Sequence, residues 1–169
     1  MGIENTHILA AVTVGLGATL VMDLWALFLR RAFGVSSLDY CLVGRWLRHM
    51  PEGTFKHTNI AAAPKKTAEC TTGWIAHYLI GVAFALMLMA ATLGAWLENP
   101  TLLPALGVGV STVLFPFLIM QPSLGLGVAA SKTPSPTRAR LKSLMTHAVF
   151  GAGLYLSAFP VRYLMRTYT

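Results

Sequence analysis

Three ionisable side chains interrupt otherwise apolar stretches of the chain: Asp23, His77 and His147. Imidazoles and carboxylates are ligands that transition metals such as zinc accept, and inside membranes the same groups carry protons or bind ions. Gln121, beside Pro122 at the end of another apolar stretch, adds an amide that can bind a polar solute. These four polar side chains therefore form the candidate site.

Small residues frame both histidines. In "GWIAHYLIG" a glycine lies four residues before His77 and another four after it, and in "SLMTHAVFG" Gly151 follows His147 by four. Residues four apart share one face of a helix, and glycine on that face lets a second backbone or a flat ligand approach closely. The frame resembles the one around bis-histidine b-type haem, so His77 and His147 are candidate ligands for haem as well as for a transition metal.

The polar residues lie in or at the end of four apolar stretches, each long enough to cross about 30 Å of hydrocarbon as a helix. The stretches are residues 8–29, 73–97, 102–120 and 141–164. Only 11% of the 169 residues are charged, whereas soluble domains carry about a quarter. We therefore predict an all-α protein, a polytopic integral membrane four-helix bundle that forms one domain over residues 1–169.

Lysine and arginine are distributed unevenly between the spans. Eleven of the thirteen fall in the two loops that follow the first and third stretches, if Lys142 at the very start of the fourth stretch is counted with the second loop, and the turn between the second and third has none. Loops rich in these residues face the cytoplasm, which predicts that both termini lie outside. We also expect these basic loops to contact anionic lipid headgroups. Topology thus explains the net charge of +7 without nucleic acid as a partner.

The first basic loop, of about forty residues, is long for a compact bundle. Its beginning, "SSLDYCLVGRWLRHM", has apolar residues at helical spacing beside two arginines. That pattern predicts an amphipathic helix on the cytoplasmic surface. The remainder, "PEGTFKHTNIAAAPKK", has the composition of an irregular loop.

The chain has two cysteines, Cys41 and Cys70, and no Cys-x-x-Cys motif. This spacing argues against a disulfide framework and against thiol-redox chemistry. Cys41 also lies in the same loop as His49, Glu52 and His57, but their spacing matches no zinc pattern. We interpret these three as ordinary loop residues.

Several long strings resemble a known family. They are "GLGATLVMDLWALFLRRAFGVSSLDYCLVGRW", "HMPEGTFKH", "GWIAHYLIG" and "MQPSLGLGVAASKTPSPTRARLKSLMTHAVFGAGLYL". Together they cover almost the whole chain and resemble the bacterial membrane family named domain of unknown function 2938. The resemblance implies a small multi-span protein of the bacterial inner membrane, and it implies no activity, cofactor or catalytic residue.

Three functions fit these residues. The polar cluster can bind or transport a small ion or solute, with Asp23 and Gln121 contacting it, and four helices would then need a homo-oligomer to enclose a pathway. The cluster can hold a transition metal or haem, with Asp23, His77 and His147 as ligands. It can also be structural, in an accessory or assembly subunit with a membrane partner. An enzyme is not favoured, because no nucleophile is placed with a base and a third orienting group.

Overall fold

The computed structural model describes the backbone of residues 3–168 and the side chains of residues 7–165 and 167. Within that range the chain is helical and has no strand, which confirms the all-α prediction. The α-helices are α1 Ile3–Phe33, α2 Tyr40–His49, α3 Glu69–Ala91, α4 Ala95–Glu98, α5 Leu102–Ser111, α6 Gln121–Ser123 and α7 Pro136–Tyr168.

Four helical segments are long and apolar enough to cross a membrane: His7–Phe33, Glu69–Ala91, Leu102–Ser123 and Pro136–Met165. Their number and order match the four predicted stretches. The second ends at Ala91 and not at residue 97, because Leu93 and Gly94 adopt positive φ angles of 50° and 80°. The Gly94 N–H donates to the carbonyl of Met89 at 2.8 Å, a bond typical of a helix end at glycine, and α4 follows.

The third segment is not a continuous α-helix. It turns at Thr112 and Val113 and then continues as a π-helical turn, Pro116–Met120. Proline has no N–H, so Pro116 cannot donate to the carbonyl of Thr112, which accepts from the Phe115 N–H at 3.1 Å. The interruption therefore follows from a proline inside an apolar stretch.

The chain divides into two compact units. Unit 1 comprises Met1–Ser36, Tyr78–Ser111 and Thr146–Thr169, and unit 2 comprises Ser37–His77 and Thr112–Met145.

Unit 1 is held together by close contacts at small residues. Thr19 of α1 is fully buried and contacts Gly81 of α3. Gly109 of α5 lies so near Gly151 of α7 that an added Cβ would be 2.5 Å from the Gly151 Cα. Gly81 and Gly151, which follow the two histidines in the sequence, therefore admit a neighbouring helix.

Unit 2 begins with the predicted amphipathic helix. Asp39 caps α2 by accepting the Cys41 N–H at 2.9 Å. The helix packs on the start of α3, where Gly44 contacts the Glu69 carbonyl and Gly73 contacts the Tyr40 carbonyl. The buried side of α2 is thus occupied by another helix of the same unit.

The rest of the long loop is more ordered than its composition predicts. It contains two 3-10 turns, Met50–Glu52 and Ile60–Ala62. The His57 N–H donates to the Ser123 carbonyl at 2.8 Å, and the Ile60 N–H donates to the Leu124 carbonyl at 3.2 Å. These backbone bonds fasten the loop to the segment that follows the π-helical turn.

Candidate functional site

The four residues predicted to form the site belong to both units. Asp23 and His147 lie in unit 1, and His77 and Gln121 lie in unit 2. Each has its own surroundings within its unit, described in turn below.

Asp23 in α1 accepts a hydrogen bond from the Tyr78 hydroxyl in α3, with an Oη–Oδ2 distance of 3.0 Å. Tyr78 was not predicted as a site residue. It precedes Gly81 and Val82 by three and four positions, and both of these contact α1 at Gly15. Residues three positions apart share a helix face, so the contact expected at Gly81 could have predicted that the Tyr78 phenol faces α1.

His147 in α7 forms a hydrogen bond between its imidazole and the backbone of Gly109 in α5. The close crossing at Gly109 and Gly151 makes this bond geometrically accessible, because neither residue has a side chain to separate the helices. The imidazole is half-buried within unit 1. In this setting the glycine frame of His147 serves helix packing.

His77 in α3 lies against aromatic rings. Its imidazole stacks on Tyr40 of α2, with ring centroids 4.1 Å apart and planes inclined by 25°. Trp74 contacts it edge-on at 5.8 Å. Tyr40 reaches this position because Gly73 admits its carbonyl. The glycine before His77 therefore brings α2 and its first ring over the histidine.

Gln121 in α6 is 7% exposed, and its Oε1 atom has no hydrogen-bond partner. In the same unit, the Nε2 atom of His57 is also buried without one. A buried polar atom without a partner is costly and accepts a bound donor readily. Binding of a polar solute by Gln121 stays a prediction.

Arg45 is a buried arginine of unit 2 that was not predicted as a site residue. Its guanidinium binds the Glu69 carboxylate at two points, Nε–Oε2 and Nη2–Oε1, both at 2.8 Å. Its Nη1 atom donates to the carbonyls of Ile60, Ala61 and Ala63 at 3.2 to 3.3 Å. The Glu69 carboxylate raises the pKa of Arg45, so the guanidinium stays charged. A lone arginine and glutamate 24 positions apart give no sequence signal of such pairing.

His49 and His57 approach each other in unit 2, with ring centroids 5.0 Å apart. Burial, and secondarily the charge of His49, lowers the pKa of His57. His49 Nε2 lies 3.1 Å from the Pro64 carbonyl, and His49 Nδ1 lies 3.5 Å from Glu52. Glu52 also pairs with Lys66, and this hydrogen bond lowers the pKa of the Glu52 carboxyl. His49, Glu52 and Lys66 therefore form a chain of polar contacts within unit 2.

Cys41 and Cys70 form a disulfide. The prediction of no disulfide from the missing Cys-x-x-Cys motif is wrong. The two residues are 29 positions apart, but α2 and α3 cross where Gly44 and Gly73 lie, and this crossing brings their first turns together. Tertiary packing, which the spacing of cysteines does not encode, decides this pairing.

Among the residues that the structure describes, no group of three or more His, Cys, Asp and Glu side chains is arranged to hold a metal ion. Metal ligation by Asp23, His77 and His147 stays a prediction, because these residues belong to two different units. Haem ligation by His77 and His147 stays a prediction.

Comparison with known proteins identifies one family. The family model described as Protein of unknown function (DUF2938) matches residues 12–161. No curated protein and no solved structure matches the chain.

Proposed function

Because the chain belongs to the family of proteins of unknown function DUF2938, we propose a function from its own residues: a four-span membrane protein that binds or passes a small cation at Asp23. The cation is a proton or a monovalent metal ion. The observation that carries the proposal is the bond between the Tyr78 hydroxyl and the Asp23 carboxylate, placed within two apolar helices.

Insertion into a membrane is supported by the exposed surface of the candidate spans. In each candidate span, no more than a third of the most apolar 18-residue stretch is buried within the protein. Many of the other residues are apolar and exposed, as Leu16, Leu20 and Leu24 of α1 are. Exposed apolar side chains along helices of this length are what a surrounding layer of hydrocarbon would cover.

The distribution of lysine and arginine supports the proposed orientation, with both basic loops in the cytoplasm and both termini outside. We propose the inner membrane of a bacterial cell as its location, with the exposed cations Arg48, Lys65 and Arg138 as candidate contacts for anionic headgroups. A reporter fused within residues 51–66 is expected to report the cytoplasmic side. A reporter active outside would refute the orientation.

Asp23 suits a cation because a carboxylate within hydrocarbon is costly and gains from a proton or a counter-ion. The Tyr78 hydroxyl donates to one oxygen and thereby holds the carboxylate in a fixed rotamer. A phenol can donate to the ionised form and accept from a protonated form, so the pair accommodates both states of the acid. Passage across the membrane through four spans would require a homo-oligomer.

Reconstitution into liposomes tests this function. An imposed potassium diffusion potential drives protons, and a trapped pH dye reports their entry. Wild-type protein is expected to carry protons faster than empty liposomes, Asp23→Asn to abolish the difference, and Tyr78→Phe to reduce it. Asp39→Asn is the matched control, because Asp39 caps α2 in unit 2. If sodium or potassium is the cation, the same series in a flux assay with that ion gives the same order.

Equal flux for wild type and Asp23→Asn with every ion would refute the passage of a cation at Asp23. It would favour the second candidate, an accessory subunit whose polar groups hold its helices. That candidate is supported by the internal partners of the polar residues: Tyr78 for Asp23, Tyr40 for His77 and the backbone of Gly109 for His147. Co-purification with a defined membrane partner, lost on disruption of these contacts, would establish it.

A further inference from the structure

The disulfide between Cys41 and Cys70 is accessible to reagents in solution. Cys70 is exposed and Cys41 is half-buried. Each is the second residue of its helix, so the bond joins the first turn of α2 to the first turn of α3. A thiol in solution can therefore reach the sulfur of Cys70 without unfolding either helix.

Under the orientation proposed above, the disulfide lies in a reducing compartment. Cys41 and Cys70 both lie in the first basic loop and its edge, which carries seven of the thirteen lysines and arginines. Under the orientation proposed above, this loop faces the cytoplasm. Disulfides persist in oxidising compartments, and those found in the cytosol of mesophiles are usually transient and redox-sensing.

We propose that Cys41 and Cys70 form a reversible thiol–disulfide exchange site, reduced by a dithiol of the thioredoxin class, that controls whether Tyr40 covers His77. The proposal rests on the orientation proposed above and not on ion passage at Asp23. A thiolate of the dithiol attacks Cys70 Sγ, the Cys41–Cys70 bond breaks, and Cys41 leaves as a thiolate that takes up a proton. The second thiol of the reductant attacks the mixed disulfide and releases Cys70 as a thiol. Two electrons and two protons pass to the cysteine pair, and the dithiol becomes a disulfide.

The link to His77 is the residue next to Cys41. Tyr40 stacks on the imidazole at 4.1 Å, and its carbonyl lies against Gly73. The disulfide holds the first turn of α2 in this position. Once it is broken, Tyr40 is retained only by non-covalent contacts and can leave the imidazole.

The rest of α2 has its own attachment. Arg45 binds Glu69 at two points and three carbonyls of the loop. Reduction therefore frees the first turn of α2 and leaves the second half in place. A local opening of this kind uncovers His77 without unfolding unit 2.

Chemical modification of the histidines tests the device in purified protein. Diethyl pyrocarbonate reacts with accessible imidazoles, and mass spectrometry measures the rate at each one. His77 is expected to react several-fold faster after treatment with dithiothreitol than before. His49, which is buried in the same unit near the Pro64 carbonyl, is the internal control. Its modification rate is expected to be the same before and after reduction. Equal rates at His77 in both states would refute control of its cover.

The double variant Cys41→Ser/Cys70→Ser is expected to show the fast His77 rate with or without dithiothreitol. Circular dichroism checks that this variant is folded, and the reversible treatment of wild-type protein gives the answer even if it is not. A fast rate that returns to the slow one after reoxidation of wild type supports the proposal. A rate unaffected by reoxidation refutes it.

Alkylation of cysteines in acid-quenched cells tests the exchange itself. The pair is expected to be reduced in growing cells, oxidised within minutes of diamide addition and reduced again after its removal. A pair that stays oxidised throughout would refute the exchange site. If the pair stays oxidised, the reporter fused within residues 51–66 shows why. A reporter active outside means that the proposed orientation is wrong. A reporter active inside means that only the redox inference is wrong.

Discussion

Arg45 and Glu69 are joined by two parallel hydrogen bonds of 2.8 Å across the contact between α2 and α3. The side chains are 7% and 12% exposed, so the pair is largely removed from water. The same guanidinium donates to three carbonyls around the turn Ile60–Ala62. One side chain therefore connects two helices and the long loop between them.

Removal of this guanidinium is expected to destabilise unit 2. Arg45→Met leaves three carbonyls without this donor and leaves the Glu69 carboxylate with the Lys66 N–H but no counter-ion from α2, and we expect a loss of about 2 kcal/mol in the free energy of unfolding. Thermal unfolding in detergent, followed by circular dichroism, measures it. Arg48→Met is the matched control, because Arg48 is exposed and makes one hydrogen bond to Thr72 at 3.3 Å; its expected cost is below about 1 kcal/mol.

The double variant Arg45→Met/Glu69→Leu is expected to regain much of that loss, because the buried carboxylate that has lost its guanidinium partner is gone. The contribution of the ion pair is then separated from that of the carbonyl bonds. A cost for Arg48→Met equal to that of Arg45→Met would contradict the central role of Arg45.

Two glycines of α5 are expected to respond differently to the same substitution. Gly109→Ala places a Cβ 2.5 Å from the Gly151 Cα, so α5 and α7 must separate, at a cost of about 1 to 3 kcal/mol. At Gly107 an added Cβ meets nothing within 4 Å, so Gly107→Ala is expected to be neutral or slightly stabilising. Unfolding midpoints in detergent compare the two variants, and similar losses in both would refute the close crossing.

Acid is expected to weaken unit 2 through His57. Its pKa lies below the ordinary value of 6.5 because the ring is desolvated, so the unfolded chain takes up the proton first. Stability is therefore full above pH 6.5 and declines as the pH falls below it. His57→Gln is expected to flatten this decline between about pH 7 and pH 5, measured as the unfolding midpoint at each pH.

Glu52 provides the control for this pH dependence. The hydrogen bond from Lys66 lowers the pKa of Glu52 below its ordinary 4.5, so its contribution is lost only on acidification below that value. Glu52→Gln is thus expected to change the profile below pH 4.5 and to leave the range that His57 governs nearly unchanged. A His57→Gln profile that follows wild type between about pH 7 and pH 5 would exclude His57 as the sensor.

Replacement of Gln121 tests whether its buried oxygen binds a donor. Gln121→Met keeps the length of the side chain and removes Oε1, an atom without a partner in the protein. Without a bound donor, the variant is expected to be as stable as wild type or up to about 1 kcal/mol more stable. If Oε1 holds a solute, Gln121→Met is expected to lose more than about 1 kcal/mol of stability. Removal of the solute from wild-type protein by dialysis would then produce a similar loss.

Several features of the fold could be predicted from local pattern. Apolar runs of spanning length predicted the four long apolar helical segments in the right order, and the periodicity of "SSLDYCLVGRWLRHM" predicted α2. The glycine spacing around His77 and His147 indicated packed faces, and Gly81 and Gly151 do contact neighbouring helices. These predictions succeed because hydrophobic periodicity and small-residue spacing act over one or two helical turns.

The partners of the site residues could not be predicted in the same way. Tyr78 at Asp23, Tyr40 at His77 and the Gly109 backbone at His147 are 55, 37 and 38 positions away in the sequence. Several other aromatic or polar residues in the sequence could equally well contact Asp23, His77 or His147 by residue type alone. Which of them comes within reach depends on the rotation and depth of each helix against its neighbour.

The sequence by itself determined the helical class, the four apolar segments and the concentration of positive charge in two loops, since each is a property of composition and short-range spacing. The disulfide between Cys41 and Cys70, the ion pair of Arg45 with Glu69 and the cover of Tyr40 over His77 were decided only by tertiary structure. All three depend on one crossing, where Gly44 and Gly73 let α2 and α3 touch backbone to backbone. Such a crossing is set by the packing of whole helices, and residue spacing within either helix does not specify it.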